Sequence, residues 1–228
     1  MFLRSITKST IGKRVSKQIK EELAEDMARL RRMLHSVTKG DAEAVRRRLR
    51  NRDEARILDL ACGACNEAEA LTDFVAELKG GSEKKIKLTG MDMRAREIAD
   101  AQRRFGGRKI LEETGVEKEF DFLTGDASKL DAHGEMGDDF DLVFLRHQNY
   151  WNADKTWEEI FDKALGKVGD DGRLIITSYF DKEHALALKA IQRLGGELIK
   201  TEFNEETREL ITPGKSVDRH VAVFRRKD

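Results

Sequence analysis

The sequence predicts an α/β protein with a doubly wound, seven-stranded and mostly parallel sheet, an antiparallel last strand and an N-terminal helical segment. Three observations predict this fold. The chain has 228 residues, enough for one sizeable domain with a small appendage. From Ile57 onward, strand-like and helix-like runs alternate, which implies right-handed crossovers between parallel strands. Only residues 204–220, with a Thr-Pro-Gly turn, separate the last two predicted strands, which suits a long antiparallel hairpin.

Two helices are predicted before the first strand. Apolar residues within 11–37 recur about once per helical turn, so one long amphipathic helix should end near Gly40. Asp41 is the expected N-cap of a short second helix. Because this pair has no strand of its own, it should pack on the domain that follows. We therefore divide the chain into a helical lid or arm, residues 1–54, and a core, residues 55–228.

The core is predicted to alternate strands with helices. Strands are expected at residues 56–60, 85–91, 119–124, 140–145, 172–178, 197–203 and 221–226. Helices are expected at residues 67–79, 94–114, 153–168 and 184–194. The connection at residues 127–139 has a weak helical pattern and is expected to be mostly loop.

Composition excludes several classes of protein. No apolar run approaches the roughly 20 residues that cross a bilayer, and no signal-peptide block follows Met1. Two cysteines cannot form a disulfide framework and suit a reducing compartment, so a cytoplasmic location is predicted. Residues 1–20 are rich in Arg, Lys, Ser and Thr without an acid, which also suits a mitochondrial presequence, and the mitochondrial matrix is the alternative.

The formal charge is zero but unevenly distributed. Residues 1–56 carry 16 Lys and Arg against 8 Asp and Glu, a net charge of +8. Because the whole chain is neutral, the remaining residues have a net charge of −8. A basic arm could meet nucleic acid, although no aromatic residues are interleaved among the arginines of residues 46–52. A basic helix that rests on an acidic domain explains the same charges.

Acidic residues follow three of the predicted strands. In doubly wound sheets, ligands bind beyond the carboxyl ends of the strands. The residues expected there are Asp59 with the turn 61–66, Asp92 and Met93, Gly125 to Ala127, Arg146 to Asn149, and Ser178 with Tyr179. Acids at three strand ends hold a phosphate poorly. They suit a ligand with ribose hydroxyls, an exocyclic amine and a positive charge.

From about residue 56 to residue 227, this arrangement resembles the class I S-adenosylmethionine-dependent methyltransferases, which have a Rossmann-like fold. That family has an apolar strand, an acid and a Gly-x-Gly-x-Gly turn, and here residues 57–60 are followed by Ala61-Cys62-Gly63-Ala64-Cys65. Alanine and cysteine replace the first and third glycines, and Gly63 remains.

The resemblance implies S-adenosylmethionine as the cofactor and assigns site residues. Asp92 would bind the ribose hydroxyls, Met93 would lie against adenine, and Asp126 would face the adenine amine beside the backbone of Ala127. The expected cofactor-binding residues are therefore Asp59, Ala61, Cys62, Gly63, Asp92, Met93, Asp126, Ala127 and Arg146.

Other interpretations of the Cys-x-x-C turn fit less well. Dinucleotide binding needs Gly-x-Gly-x-x-Gly, and Ala61, Gly63 and Asn66 fill those positions poorly. A zinc site would need further ligands, which His133, His147 or His184 could supply only by approaching in space. Redox activity would need a thioredoxin-like context. No metal is assigned, and both cysteines are expected to be small packing residues.

Methyl transfer is an in-line displacement that requires alignment and, for a protonated nucleophile, a proton acceptor. His147 is the first candidate for that acceptor, because imidazole titrates near neutral pH. Tyr150 and Tyr179 could orient a hydroxyl or amine of the substrate, and Arg146 could hold a carboxylate of the substrate or cofactor. A histidine after a strand can also simply cap the next turn.

A small molecule methylated on oxygen or nitrogen is the predicted acceptor. RNA or protein acceptors, and a methyltransferase-like protein that binds without catalysis, are the alternatives. A nicotinamide-dependent oxidoreductase is disfavoured by the turn at residues 61–66.

Overall fold

The computed structural model describes residues 3–79, 85–110 and 115–227. Two helices open the chain, α1 at Leu3–Thr38 and α2 at Ala42–Arg50, as the apolar periodicity predicts. Asp41 stands at the N-cap position of α2 but makes no side-chain capping bond. Its carboxylate instead accepts hydrogen bonds from the Arg173 guanidinium, so the expected cap is replaced by an ion pair.

The other elements alternate along the core. They are β1 Glu54–Leu60, α3 Ala68–Lys79, β2 Lys85–Asp92, α4 Ala95–Phe105, β3 Gly107–Ile110, β4 Glu117–Thr124, β5 Phe140–Leu145, α5 Asp154–Lys167, β6 Val168–Ser178, α6 Asp181–Arg193, β7 Gly196–Phe203, β8 Arg208–Glu209, β9 Ser216–Val217 and β10 His220–Arg226. The connection at residues 127–139 forms only short 3₁₀ turns, as expected. All seven predicted strands are confirmed.

One sheet contains the eight longer strands in the order β3-β4-β2-β1-β5-β6-β10-β7. Strands β4, β2, β1, β5 and β6 are parallel to one another, whereas β3 is antiparallel to β4 and β10 is antiparallel to both β6 and β7. The predicted mostly parallel sheet with an antiparallel last strand is therefore confirmed. Strand order reverses between β1 and β5, and such a reversal opens a ligand crevice at the carboxyl ends of the strands.

The predicted helix at residues 94–114 is wrong beyond Phe105. There α4 ends, and Gly107, with a φ of 99°, turns the chain into β3, which pairs antiparallel with β4. The glycine pair 106–107 lets the backbone turn where a side chain at φ > 0 would be strained. Residues 111–114 of that prediction lie outside the described residues.

Helices cover both faces of the sheet with separate apolar cores. Leu30 and Leu34 of α1 are fully buried with Leu49 of α2 and Phe74 of α3 on one face, while α5 and α6 cover the other. Full burial of such a side chain stabilises the fold by about 1.5–3 kcal/mol. The carboxyl-terminal half of α1 is therefore a core helix.

The position of α1 follows from its contacts with the last strands. Ser36 donates to Glu202 at 3.0 Å, Arg32 pairs with Glu206, and Asp26 accepts from Arg208 at 2.6 Å. The helix thus runs antiparallel to β7, and its earlier residues lie towards the carboxyl edge of the sheet. Within the described part of the chain, no helix is long and apolar enough to cross a membrane.

Candidate functional site

The turn after β1 has three residues in the left-handed region of backbone space. The φ angles are 54° at Ala61, 57° at Gly63 and 45° at Cys65. A side chain costs about 1–2 kcal/mol in this conformation, which explains the glycines of the motif that the turn resembles. Alanine and cysteine therefore change the side chains of the turn while its backbone keeps the conformation that favours glycine.

Backbone hydrogen bonds tie this turn to the strand ends beside it. The Cys62 amide donates to the Met91 carbonyl at 3.1 Å, and the Gly63 amide donates to Asp92 Oδ2 at 2.8 Å. On the other side of β2, the Gly125 amide donates to the Asp92 carbonyl at 3.0 Å. The ends of β1, β2 and β4 are consequently held together at the carboxyl edge of the sheet.

Asp59 lies beneath the turn and is completely buried. Cys65 Sγ donates to its Oδ2 at 3.1 Å, while its Oδ1 has no hydrogen-bond partner among the described residues. Burial, and next the charge of Glu67, raise the pKa of Asp59 well above its ordinary value. A buried oxygen without a hydrogen-bond partner costs free energy, and a positively charged ligand group placed against Asp59 would offset that cost and favour the ionised carboxylate.

The two thiols lie close to this carboxylate. One ligand atom each from Asp59, Cys62 and Cys65 falls within 4.8 Å of the others. None of His133, His147 and His184 belongs to this group of described residues. Burial raises the pKa of the Cys65 thiol well above its ordinary value, so Cys65 serves as a hydrogen-bond donor to Asp59.

Asp92 ends β2 with its carboxylate fully engaged. Besides the Gly63 amide, Asp92 Oδ1 accepts from the Arg94 amide at 2.8 Å and from Arg94 Nε at 2.9 Å. Burial would raise the pKa of Asp92, but the hydrogen bonds from Arg94 and Gly63 outweigh it and hold that pKa below its ordinary value. Met93 beside it is 74% exposed, an unusual state for a large apolar side chain.

Asp126 follows β4 and begins a 3₁₀ turn. Its Oδ1 accepts from the Ser128 amide at 3.0 Å and from Ser128 Oγ at 2.8 Å, and these hydrogen bonds lower its pKa. Ala127 is buried behind it. Asp126 is thus an ionised acceptor in a fixed orientation.

Arg146 ends β5 with its guanidinium held on two sides. Arg146 Nε and Nη2 donate to Asp218 at 3.0 and 2.6 Å, and Nη1 donates to Glu67 Oε2 at 3.2 Å. Burial would lower the pKa of Arg146, but the two carboxylates raise it. The Arg146 guanidinium is therefore already bound by protein carboxylates, whereas the sequence suggested that it could hold a carboxylate of the substrate or cofactor.

His147 and Tyr179 meet at the ends of β5 and β6. Their rings stack at a centroid distance of 3.9 Å and an angle of 17°. His147 Nε2 lies 2.8 Å from Asp218 Oδ1 and 3.1 Å from the Asp218 amide. His147 and Asp218 have φ angles of 57° and 48°, and strained residues of this kind cluster at functional sites.

Asp218 is a site residue that the sequence analysis missed. It lies in the loop before β10, where no motif indicates it, and it also accepts from Thr177 Oγ1 at 2.9 Å. Burial would raise the pKa of Asp218, but Arg146 and His147 lower it far below its ordinary value. The carboxylate therefore stays ionised and can orient the His147 ring.

Tyr150 lies apart from this cluster. Its hydroxyl donates to Glu158 Oε1 at 2.6 Å, and its ring packs against Phe161 of α5 at 5.9 Å. The structure thus brings His147 and Tyr179 together and puts Tyr150 in the core under α5.

Glu183 is a second residue that the sequence analysis missed. It is buried in the first turn of α6, where Glu183 Oε2 accepts from the Tyr179 amide at 3.2 Å. Burial raises its pKa to about 7. Lys215 Nζ lies 4.2 Å from the centre of the Tyr179 ring. Glu183 lies in the first turn of α6, where acids are common, and nothing else in the sequence indicated its position near Tyr179.

Together these strand ends fit an adenosyl ligand with a charged amino-acid end. Gly63 has no side chain, Asp92 and Asp126 place carboxylates at neighbouring strand ends, and Met93 has an exposed apolar surface. The unpaired oxygen of Asp59 fits a cationic group.

Comparison with known proteins bears on the family and the fold. A family model described as a methyltransferase domain matches residues 51–216. A TehB-like S-adenosylmethionine-dependent methyltransferase from Corynebacterium glutamicum has a TM-score of 0.52 at 20% identity, covering 80% of this chain and 88% of its own. An S-adenosylmethionine-dependent methyltransferase from Clostridium acetobutylicum has a TM-score of 0.53 at 11% identity, covering 78% of this chain and 85% of its own. No curated protein matches the chain.

At these identities the structural likeness shows the fold alone, and the family model carries the assignment. That model spans well over half of the chain and includes every strand end from β1 to β6. The chain therefore belongs to the methyltransferase-domain family and is an S-adenosylmethionine-dependent methyltransferase, with S-adenosylmethionine as its cofactor.

Proposed function

We propose that the enzyme methylates an oxygen or nitrogen atom of a small molecule and that His147 accepts the proton which that atom releases. The observation that carries the proposal is the contact of His147 with the ionised, buried Asp218 at the end of β5, beside the stacked ring of Tyr179. S-adenosylmethionine supplies a methyl group that is already activated by its sulfonium. The chain's residues must therefore orient both reactants and take up one proton.

Asp218 suits the role of orienting group for His147. In the tautomer with its proton on Nε2, His147 would donate to Asp218 Oδ1 at 2.8 Å and keep Nδ1 as the proton acceptor, whereas in the other tautomer Nε2 accepts from the Asp218 amide at 3.1 Å. Once Nδ1 is protonated, the Asp218 carboxylate stabilises the imidazolium. The stacked Tyr179 ring restricts the rotation of the imidazole, and the Tyr179 hydroxyl makes no hydrogen bond within the described part of the chain, so it is available to a substrate.

Cofactor recognition is proposed to use the opposite wall of the cleft. Asp92 would accept from the ribose hydroxyls, Met93 would cover adenine, and Asp126 with Ala127 would meet the adenine edge. Asp59 would balance the positive amino-acid end of the cofactor, as its unpaired oxygen suggests. Arg146 would act indirectly by fixing Asp218 and Glu67.

The pairing of the basic N-terminal segment favours a small acceptor over RNA. Arg48 pairs with Asp139 and Asp141, and Arg52 pairs with Asp139. Carboxylates of the core also bind arginines of α1, as in the contact of Arg32 with Glu206. Guanidinium groups already neutralised in this way contribute little to phosphate binding.

The amino-terminal half of α1 is proposed to act as a lid. Residues 17–22 are exposed. Residues 3–22 of α1 form the part of the helix that extends beyond the carboxyl edge of the sheet, a length of about 30 Å. A lid of this kind would exclude water from a small acceptor.

A radiolabelled methyl-transfer screen tests the proposal. The purified enzyme is incubated with S-adenosylmethionine and panels of phenols, alcohols, amines, total RNA and protein. We expect label in at least one small O or N acceptor and loss of at least 99% of that activity in His147→Gln, in keeping with the usual contribution of a general base. Label only in RNA or protein would contradict the proposed acceptor class.

A further inference from the structure

Arg94 covers the carboxylate that the cofactor needs. Arg94 Nε donates to Asp92 Oδ1 at 2.9 Å, and Arg94 Nη2 lies 3.2 Å from Asp92 Oδ2. Arg94 stands at the N-cap position of α4 but makes no side-chain capping bond there. The Arg94 side chain binds Asp92 and does not cap α4.

The same guanidinium also touches the turn after β1. A Cβ atom placed on Gly63 would lie 2.8 Å from Arg94 Nη2, so the guanidinium fills the space that the missing side chain leaves. Arg94 therefore bridges Gly63 and Asp92. The proposed function, on which this inference rests, assigns the ribose hydroxyls of the cofactor to Asp92.

We propose that Arg94 sets the affinity of the cofactor site by occupying the hydrogen-bonding positions of Asp92 that the ribose hydroxyls require. A carboxylate that receives two guanidinium bonds and two backbone bonds has no lone pair directed at a further donor. The ligand consequently binds only the fraction of molecules in which the Arg94 side chain has turned away, and its apparent dissociation constant rises by the inverse of that fraction.

Displacement of Arg94 requires that its side chain can move into water and that Asp92 keeps its orientation afterwards. The Arg94 side chain is 60% exposed, so its guanidinium can move into water without opening the core. The amides of Gly63 and Arg94 each donate to Asp92 at 2.8 Å, and these backbone bonds keep the carboxylate oriented after the side chain leaves. Removal of the guanidinium thus frees Asp92 and does not misplace it.

Calorimetric titration with S-adenosylhomocysteine, which has no net charge, tests this role without any methyl acceptor. We expect Arg94→Ala to bind this ligand about tenfold more tightly than the native protein, since it removes two charge-assisted hydrogen bonds from the free state. Arg94→Lys should fall between the two, because one ammonium cannot reproduce the forked contact.

Arg96→Ala is the matched control. Arg96 is exposed on the same helix and makes no hydrogen bond or ion pair within the described residues, so its removal changes the net charge alone. Its affinity should stay within about twofold of the native value. Thermal melts of the free proteins confirm that every variant is folded.

The outcomes separate the two proposals. Equal or weaker binding by Arg94→Ala, with the native protein binding normally, would overturn the role of Arg94 and leave the proposed function intact. A gain in Arg96→Ala as large as in Arg94→Ala would reduce the effect to net charge and would also overturn it. Failure of all the proteins to bind S-adenosylhomocysteine would refute the proposed cofactor site and this inference together.

Discussion

Two side chains in the turn after β1 stand where the backbone favours glycine. Ala61 and Cys65 both adopt left-handed conformations, but Cys65 also donates to the buried Asp59 and fills space beneath the turn. Ala61 has no such compensating hydrogen bond. The strain at Ala61 can therefore be relieved, whereas a change at Cys65 would leave a second oxygen of Asp59 unpaired.

We expect Ala61→Gly to raise the free energy of unfolding by up to about 1 kcal/mol, since the relief of left-handed strain exceeds the added chain entropy. Ala64→Gly in the same turn is the control. Ala64 has no positive φ, so that change should lower the free energy of unfolding by about 0.5–1 kcal/mol. Urea denaturation measures both, and a loss of stability in Ala61→Gly would show that the turn is not strained there.

A second prediction at this scale concerns the proton acceptor. His147→Gln should lower kcat by about 10²–10⁴, because the amide cannot take up a proton. His35→Gln, at a ring that contacts Glu77 on the far side of the core, should leave kcat within about twofold. Steady-state rates with the acceptor found in the screen provide the test, and equal losses in both variants would remove His147 from the chemistry.

At the scale of elements, the two halves of α1 differ in what they contact. Leu34 is fully buried in the core, whereas Ile19 is 59% exposed. The division of the chain at residue 54 treats α1 as one lid or arm, but its carboxyl-terminal half is part of the core layer that also contains α3.

We therefore expect Leu34→Ala to lower the free energy of unfolding by about 2–5 kcal/mol, the usual cost of a cavity in a packed core. Ile19→Ala should change it by less than about 0.5 kcal/mol. Chemical denaturation decides the matter. Similar small effects of both variants would mean that all of α1 is detachable.

Helix α6 carries two buried groups whose titrations oppose each other. Burial, and next the nearby His220, lower the pKa of His184 to about 3 from 6.5, so its contribution to stability is present above pH 6.5 and is lost as pH falls towards 3. Burial raises the pKa of Glu183 to about 7 from 4.5, so its contribution is present below pH 4.5 and is lost as pH rises through 7.

His184→Gln should consequently gain more stability than the native protein as pH falls from 7 to 4.5, because the variant keeps the Glu183 titration and lacks the opposing His184 titration. Glutamine keeps a donor and an acceptor for Ser178 and Thr201, the two hydroxyl partners of His184. Denaturation at pH 7, 6, 5 and 4.5 measures the difference. Parallel pH profiles for the two proteins would show that His184 is not held neutral.

Features that depend on neighbouring residues in the sequence could be predicted, whereas features that depend on contacts between distant residues could not. Asp92 and Asp126 could be predicted as site residues because each lies within two residues of the end of a predicted strand. Strand β3 was missed because its four residues are all exposed and continue the charged pattern of α4, so only the two glycines mark the change. Asp218 reaches His147 from 71 residues away, and only the fold reveals that contact.

At the scale of the whole molecule, the uneven charge of the sequence is resolved by packing. The basic helices rest on an acidic core through pairs such as Arg31 with Asp73 and Arg48 with Asp141. Under the proposed function, the acids at the strand ends, Asp59, Asp92 and Asp126, would favour a cationic adenosyl ligand there.

Thermal melting with S-adenosylmethionine, S-adenosylhomocysteine and NAD tests this central claim most directly. A ligand at a hundred times its dissociation constant adds about 2.7 kcal/mol, which should raise the midpoint by roughly 5–10 °C in a domain of this size. We predict that rise with both adenosyl-amino-acid ligands, its loss in Asp92→Asn, and no rise with NAD. A rise with NAD alone, or an Asp92→Asn variant that responds as the native protein does, would contradict the site described above.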